Sequence, residues 1–304
     1  MNYEISTILQ ITSENMKKYS HLETRRLFHG RGGTYENILF INIDLFPPAL
    51  LITLYEDRDN EWKEILTTEL LKMNKIDCIV FQNRVKAPWK NEIVKGVLPE
   101  RHIVEENSLK YTVSLEPGEN PGIFLDMRDG RSYVNKISKN RRVLNLFSYT
   151  CAFSIAAVEG GASSVLNMDM NSNSLNKGRI NHQLNFHRSD NVAYLSHNIL
   201  KSFGKIIKKG PYDLILIDPP PSQGHSFNLI RDYGKIMRKT CEMLSYKGEI
   251  LACLNSHNVD FVWFKDFLSE NLGQYEIIAE FGAGDDFPEK NRELGLKTIH
   301  LRLS

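Results

Sequence analysis

The sequence contains no run approaching the roughly 18 apolar residues of a membrane-spanning helix, and its polar opening, Met1–Ser20, lacks the apolar core of a signal peptide. Only four cysteines occur, Cys78, Cys151, Cys241 and Cys253, with no CxxC pair and no histidine at zinc-ligand spacing. Disulfide scaffolds and zinc modules therefore fall away, and a reduced cytoplasm, with no membrane and no metal, is the expected setting. The sequence also lacks a GxGxxG loop, an internal repeat and a low-complexity tract. What is present is globular: 304 residues, 41% hydrophobic and 25% charged, a length that suggests two domains.

The formal charge of +1 conceals a gradient, with −3 over residues 1–125, +8 over 126–249 and −4 over 250–304. A basic middle between acidic flanks suits a polyanion facing one part of the surface. A lysine-rich solvated face accounts for it equally well.

Patterning divides the chain. After a polar stretch that reads as an arm or short helix, two apolar runs flank Pro47-Pro48, a helical spacing joins Trp62, Ile65, Leu66, Leu70 and Met73, and Ile76–Gln82 reads as a strand. Short strands are expected near Glu92–Val97 and Lys110–Leu115. Residues 1–116 thus read as a small α+β domain with a short N-terminal arm. From 117 to 304 the rhythm becomes strand–helix, with near-continuous apolar strands at Val143–Phe147, Ser163–Asp169, Val192–Asn198, Tyr212–Pro220 and Glu249–Asn255. Such strands belong in a parallel sheet covered on both faces. A final pair, Tyr275–Glu280 and Leu296–Leu303, is expected at its edge. The fold class is α/β: a Rossmann-like, mostly parallel seven-stranded sheet with helices on both faces, preceded by the α+β domain.

Ligands of open α/β sheets bind beyond the carboxyl ends of the strands. Three such ends carry unusual residues: the turn Asn145–Ser154, the acid Asp169, and Asp218 followed by Pro219, Pro220 and Pro221. Without glycines the first turn does not admit a pyrophosphate, but it suits a phosphate-free nucleoside ligand such as S-adenosylmethionine. Asp169 is placed to accept bonds from ribose hydroxyls, or to cap the following helix. Prolines after Asp218 leave backbone carbonyls beside a carboxylate, a set of acceptors able to hold a base amino group.

The segments PGIFLDMR, VLNLFSYTCAFS, GGASSVLNMDMN, YDLILIDPPPS and GEILACLNSHN together resemble the class I S-adenosylmethionine-dependent methyltransferases. More narrowly, from about Thr24 to the C-terminus, the chain is similar to the bacterial large-subunit ribosomal RNA methyltransferases of the RlmK and RlmI (YccW-like) type. The resemblance implies Phe124, Asp126 and Arg128 near the methionine end of the cofactor. It implies a cradle of Asn145, Phe147, Ser148, Tyr149 and Thr150, with Asp169 on the ribose and Met170 against the adenine. Asn198 stands where the family usually has an aspartate reading the adenine amino group; an amide oxygen accepts the same bond. Cys151 replaces the family glycine, and its side chain is expected to crowd the cofactor. An extra N-terminal RNA-binding module of RlmI-like members is expected to be missing ahead of Thr24.

Methylation of cytosine carbon 5 requires a thiolate that adds to the base. The RlmI-like branch carries that thiol where Asn255 stands here, in a segment that resembles the RlmK branch, while Cys253 reads as a core thiol within an alternating strand. A guanine nitrogen, or another base nitrogen, is therefore the expected acceptor, with Asp218 and the Pro219 and Pro220 carbonyls orienting the base and Asn255 lining the pocket. His225 and His257 are either pocket or surface residues. Ribosomal RNA is the expected partner, its phosphates met by Lys136–Arg142, Lys205–Lys209 and Arg231–Lys239, and a homodimer is allowed. A small-molecule methyltransferase, and a non-catalytic RNA-binding or ribosome assembly factor with a decayed cofactor site, remain the alternatives.

Overall fold

The computed structural model describes residues 3–303 apart from 21, 74, 87–88, 117–119, 187–189, 221 and 224–226. The chain forms two compact units, Met1–Asp126 with Gly284–Lys290, and Met127–Ala283 with Asn291–Ser304. The division lies at Asp126/Met127 where the sequence pattern suggested 116/117, and seven late residues belong to the first unit.

In the first unit the polar opening is a full helix, α1 (Tyr3–Lys18), with Ile5 and Ile8 buried on its inner side. It is followed by β1 (Arg25–His29), β2 (Ile41–Phe46), β3 (Ala49–Leu54), α2 (Asn60–Leu70), β4 (Cys78–Asn83) and β5 (Lys90–Lys95), and then by a hairpin of β6 (Ile103–Glu106) and β7 (Leu109–Thr112). The five-stranded sheet runs in the order β1-β2-β3-β4-β5. Only β3 and β4 are parallel, because α2 provides the crossover between them. Asp59 starts α2 by accepting the Trp62 amide. Trp62, Leu66 and Leu70 then recur at helical spacing and close over the core.

The late segment is bound to this unit by a chain of polar contacts. Arg26 holds Asp44 with two nitrogens and reaches His29 Nδ1 at 2.6 Å, while His29 Nε2 meets Glu289 at 3.1 Å. The Arg26 guanidinium lies 4.5 Å from the centre of the Phe287 ring, and the Lys290 amide donates to Gly32 O.

The second unit contains α3 (Arg128–Ile137), β8 (Arg142–Leu146), α4 (Ala152–Glu159), β9 (Ser164–Asp169), α5 (Ser172–Asn185), β10 (Val192–Ser196), α6 (Phe203–Lys209) and β11 (Tyr212–Ile217). The short strands β12 (Ser222–Gln223) and β13 (Phe227–Asn228) precede α7 (Leu229–Thr240), β14 (Leu244–Asn255), α8 (Phe261–Leu272), β15 (Tyr275–Phe281) and β16 (Leu296–Leu303). Its seven-stranded sheet runs β10-β9-β8-β11-β14-β16-β15. The first five strands are parallel, and β16 is antiparallel to both neighbours. The last two strands form the expected pair at one edge of the sheet, with β15 outermost and β16 between β14 and β15.

The continuous apolar runs have a direct cause. On β8, Leu144 and Leu146 face one core and Val143 the other; on β11, Ile215 and Ile217 oppose Leu214 and Leu216; on β14, Ile250, Ala252 and Leu254 oppose Leu251 and Cys253. One face packs on Ile206 of α6, Tyr233 and Met237 of α7 and Phe264 of α8, and the other on Val134 of α3 and Phe153 and Ala157 of α4. Among the described residues no helix is long and apolar enough to cross a membrane.

The amino-terminal side of the parallel strands is closed by a buried carboxylate. Glu249 on β14 accepts from Arg141, from Arg302 and, at 3.0 Å, from His300 Nε2, while Tyr133 on α3 lies 2.8 Å from His300 Nδ1. Burial lowers the pKa of His300, and the neighbouring arginines overcome burial to lower that of Glu249. The neutral imidazole then donates to Glu249 and accepts from the Tyr133 hydroxyl. Both depressed values act in one direction. The stability they confer is complete above the ordinary imidazole and carboxylate ranges and is lost as the pH falls below them. Glu249→Gln is expected to cost about 2 kcal/mol at pH 7, since both arginines keep partial access to water. The difference from wild type should shrink on acidification, as read by denaturant unfolding at several pH values.

Candidate cofactor and active site

The carboxyl ends of β10, β9, β8, β11 and β14 bring the turn at 147–150, Asp169, Met170, Asn198, Asp218, Pro219, Pro220 and Asn255 onto one rim of the sheet. After β8 the chain turns through Phe147, Ser148, Tyr149, Thr150 and Cys151, and alternate residues Phe147, Tyr149 and Cys151 have φ of 57°, 46° and 64°. None is glycine, and each left-handed L-residue costs about 1–2 kcal/mol. Within this turn the amides of Ser148 and Cys151 close on the backbone carbonyls of Met168 and Ser148, and the Tyr149 amide is turned toward an anion. Asp169, ending β9, supplies the anion. Its Oδ2 accepts from Tyr149 N at 3.0 Å and its Oδ1 from Asn171 N at 2.8 Å. It is 5% exposed, and burial raises its pKa against the lowering effect of those amides. The helix that follows is capped by Asn171 and not by Asp169.

Beneath the turn lies a buried polar chain. Asn145 Nδ2 donates to Asn167 Oδ1 at 2.9 Å, Asn167 Nδ2 to Ser154 Oγ at 2.9 Å, and Ser154 Oγ lies 2.9 Å from His182 Nε2. Burial pushes the His182 imidazole down to about 4, so it accepts the serine proton. The Asn145 side chain is thus committed under the turn, at 1% exposure. Thr150 is buried as well, its carbonyl accepting from Asn181.

The Cys151 side chain, expected to crowd the cofactor, is instead packed inside the fold. Its thiol is fully buried against α5, where a Cβ added to Gly178 would lie 2.4 Å from Sγ. Burial pushes the thiol pKa up to about 12, so it remains protonated and unreactive. A small residue on α5 therefore makes room for a large one in the turn.

On the other side of β8 the Phe147 ring packs on Phe227 of β13, centroids 4.8 Å apart, which joins the turn to the segment after Asp218. Asp218 and Pro220 are half-buried at the end of β11 and Pro219 is buried, whereas Pro221 and His225 lie outside the described residues. Behind them Tyr233 of α7 donates to Cys253 O at 3.0 Å, and the pKa of its fully buried phenol is raised by burial and then by the nearby Cys253 and Asp218. Cys253 is 1% exposed within β14, while Asn255 and His257 beyond it are exposed. Lys297, buried on β16, donates to the carbonyls of Ser256, Glu293 and Gly295 at 3.0, 3.3 and 2.6 Å and so anchors the loop after Asn255.

Met170 is 37% exposed next to Asp169, and Asn198 caps a 3-10 turn, its Oδ1 accepting from Lys201 N at 3.2 Å. One lone pair of that oxygen is therefore already engaged. Arg128, buried, opens α3; Phe124 and Asp126 belong to the first unit. Sequence reasoning missed Gly178, Phe227, Tyr233 and Lys297, for which only a glycine in a helix and a lysine in an apolar strand gave any signal.

The rim fits an uncharged nucleoside better than a phosphate, because the Asp169 carboxylate already faces the turn and takes the Tyr149 amide. Among the described residues Ser148 Oγ is buried there with only the weak Cys151 thiol beside it, which leaves hydrogen-bonding capacity for a ligand. Residues 25–302 match the family described as S-adenosylmethionine-dependent methyltransferase. YwbD of Bacillus subtilis, which bears the name of a ribosomal RNA large subunit methyltransferase, is 32% identical over 86% of this chain and 69% of its own length. Ribosomal RNA large subunit methyltransferase I of Aeromonas salmonicida is 32% identical over 67% of this chain; the chain spans 57% of that relative's length. The crystal structure of SMU.776 complexed with SAH superposes with a TM-score of 0.88 at 24% identity, covering 99% of this chain and 82% of that one. The M. jannaschii tRNA m1G37 methyltransferase shares the fold, with a TM-score of 0.66 at 14% identity over 98% of this chain and 78% of its own.

Fold and rim define a Rossmann-like enzyme of the class that takes its methyl group from an adenosyl sulfonium. The chain belongs to the S-adenosylmethionine-dependent methyltransferase family, and S-adenosylmethionine is its cofactor. Gly178→Ala is expected to destabilise the second unit by about 1–3 kcal/mol through overpacking against Cys151. Combining it with Cys151→Gly should restore most of that loss, because the opposing thiol goes and glycine tolerates the left-handed turn; thermal denaturation of the two single variants and the double variant reads this.

Proposed function

We propose that this protein methylates a base nitrogen, a guanine nitrogen first among them, in large-subunit ribosomal RNA. The single observation that carries the choice of nitrogen is the lack of an exposed thiol on the described rim. Cys253 is packed inside β14 and Cys151 against α5, and the exposed residue at the end of β14 is Asn255. The names of the relatives support ribosomal RNA as the substrate.

In this reading Asp169 accepts from the ribose hydroxyls with the lone pairs its two amide partners leave. Phe147, Ser148, Tyr149 and Thr150 cradle the methionine end, Met170 covers one face of the adenine, and Asn198 reads its edge. When bound, the sulfonium supplies an electrophilic methyl carbon. Asp218 and the carbonyls of Pro219 and Pro220 hold the base so that a nitrogen lone pair points at that carbon, in line with the breaking carbon–sulfur bond. Asn255 lines the far side. A ring nitrogen such as guanine N7 attacks without losing a proton; an exocyclic amine passes one proton to Asp218 or to water. The protein contributes mainly proximity and orientation, so no nucleophile or metal is needed. A-form helices hide base edges, and the target nucleotide has to be unstacked or presented in a loop.

Asp169→Ala should weaken binding of S-adenosylhomocysteine at least tenfold in calorimetry. Asp218→Ala should lower turnover at least tenfold with cofactor affinity changed less than threefold. The assay is tritium transfer to ribosomal RNA, with mass-spectrometric mapping of the modified nucleotide and a small-molecule extract as the competing acceptor. Label entering only the extract would overturn the RNA assignment. Cys253→Ser should retain nearly full transfer; an inactive but folded variant would return the reaction to carbon 5.

A further inference from the structure

The three basic stretches of the second unit have different electrostatic environments. Near the start of β8, Arg141 is spent on Glu249. On α7, Arg231 and Lys235 both pair with Asp232, at 2.5 and 3.0 Å, Lys239 pairs with Glu242 at 2.6 Å, and Arg238 bonds Asn271. Asp232, buried beneath these cations, has its pKa driven far below the usual carboxylate range, so its negative charge persists and offsets theirs.

The face around α6 is different. Lys201, Lys205, Lys208 and Lys209 are all exposed, and among the described residues none of them forms an ion pair. No aspartate or glutamate occurs between Asp190 and Asp213. Lys205 Nζ lies 3.3 Å from a ring nitrogen of His197, where an ion pair would place a carboxylate. Residues 201, 205 and 208 recur at helical spacing and bracket Gly204, where an added Cβ would meet nothing within 4 Å, so bare backbone is open between the ammonium groups. Ile206 on the opposite side is fully buried in the core, which fixes the lysines outward.

Helix stability does not explain this arrangement. Lys208 and Lys209 suit the C-terminus of α6 and Lys201 the end of the 3-10 turn before it, but Lys205 stands in the first turn of α6, with no acid there. Four exposed cations without a carboxylate partner among the described residues are accounted for by an anion from outside the chain. The face begins three residues after Asn198, which follows the edge strand β10, and ends at Lys209, whose carbonyl accepts from Arg142 at the start of β8.

We infer that the Lys201–Lys209 face is the grip of this enzyme on the phosphate backbone of its RNA, placed beside the rim where the base is presented. The inference rests on the ribosomal RNA reading above and adds the surface that holds it. Recognition here is by charge and not by sequence: about three phosphates meet Lys201, Lys205 and Lys208.

The experiment uses the full chain and deproteinised large-subunit ribosomal RNA, with affinity measured by filter binding across a salt series. The variant K201Q/K205Q/K208Q should bind about tenfold more weakly near physiological salt, and its log–log salt slope should be shallower by about two, the value for three lost phosphate contacts. Its affinity for S-adenosylhomocysteine should match wild type, which shows that the fold survives. The arginine triple variant should bind RNA as wild type does, and R238Q/K239Q on α7 should lose less than twofold. A glutamine triple variant with unchanged affinity and slope, while wild type binds and methylates the RNA, overturns this surface alone. Wild-type protein that binds S-adenosylhomocysteine but no RNA overturns the substrate reading and this surface with it.

Discussion

The contact between the Asp169 carboxylate and the Tyr149 amide is the interaction on which the candidate site depends. It joins the ends of two adjacent parallel strands through a turn that L-amino acids adopt reluctantly. Phe147, Tyr149 and Cys151 each give up conformational energy there, and three neighbours return it: the Asp169 carboxylate on the Tyr149 amide, an aromatic partner for Phe147, and a recess at Gly178 for the thiol. Glycines would have removed the strain without these supports, and with it the coupling. The strained form ties the turn to β9, to α5 and to β13 simultaneously, so a shift in any of them is felt where the cofactor sits.

The two ends of the sheet carry opposite kinds of polar cluster. On the amino-terminal side Glu249 is saturated by two arginines and a histidine and has nothing left to offer a ligand. On the carboxyl-terminal side Asp169 keeps free acceptor capacity, and among the described residues Ser148 Oγ has only the weak Cys151 thiol beside it. A saturated cluster stabilises; an unsaturated one is a binding site in waiting, since its desolvation has been borne by the fold and its bonds are still to be made. Between them the amide chain from Asn145 to His182 is fully buried and serves the backbone that presents the rim.

Legibility in the sequence followed the range of the interaction. The parallel sheet was readable because a strand with both faces buried must be apolar at nearly every position, as in residues 214–217. Asp169 and Asp218 were readable because acids directly after such runs have few other reasons to be there. By contrast β1, Arg-Arg-Leu-Phe-His, begins with two arginines whose partners, Asp286 and Asp44, lie far along the chain, so its pattern did not read as a strand. Residues 284–290 gave no sign of joining the first unit, because that membership rests on Glu289 and Phe287 meeting His29 and Arg26 across more than 250 positions. Cys151 seemed to intrude on the cofactor for the same reason: its recess is supplied by Gly178, on the next helix but one turn of sheet away.

Charge shows most plainly why position along the chain is a poor guide to surface. The central region carries a formal +8, yet Arg141, Arg231, Lys235 and Lys239 pair with Glu249, Asp232 and Glu242 of the same unit. A cation with a nearby carboxylate projects a field that cancels within a few ångströms, and salt screens what is left. The lysines of α6 have no such partner among the described residues, so their fields add over the span of two helical turns. A polyanion gains from addition and not from total charge, because each phosphate releases its counterion only against a cation that is not already paired. A protein nearly neutral overall thus presents, at Lys201–Lys209, a positive face whose charge is not cancelled by carboxylates among the described residues.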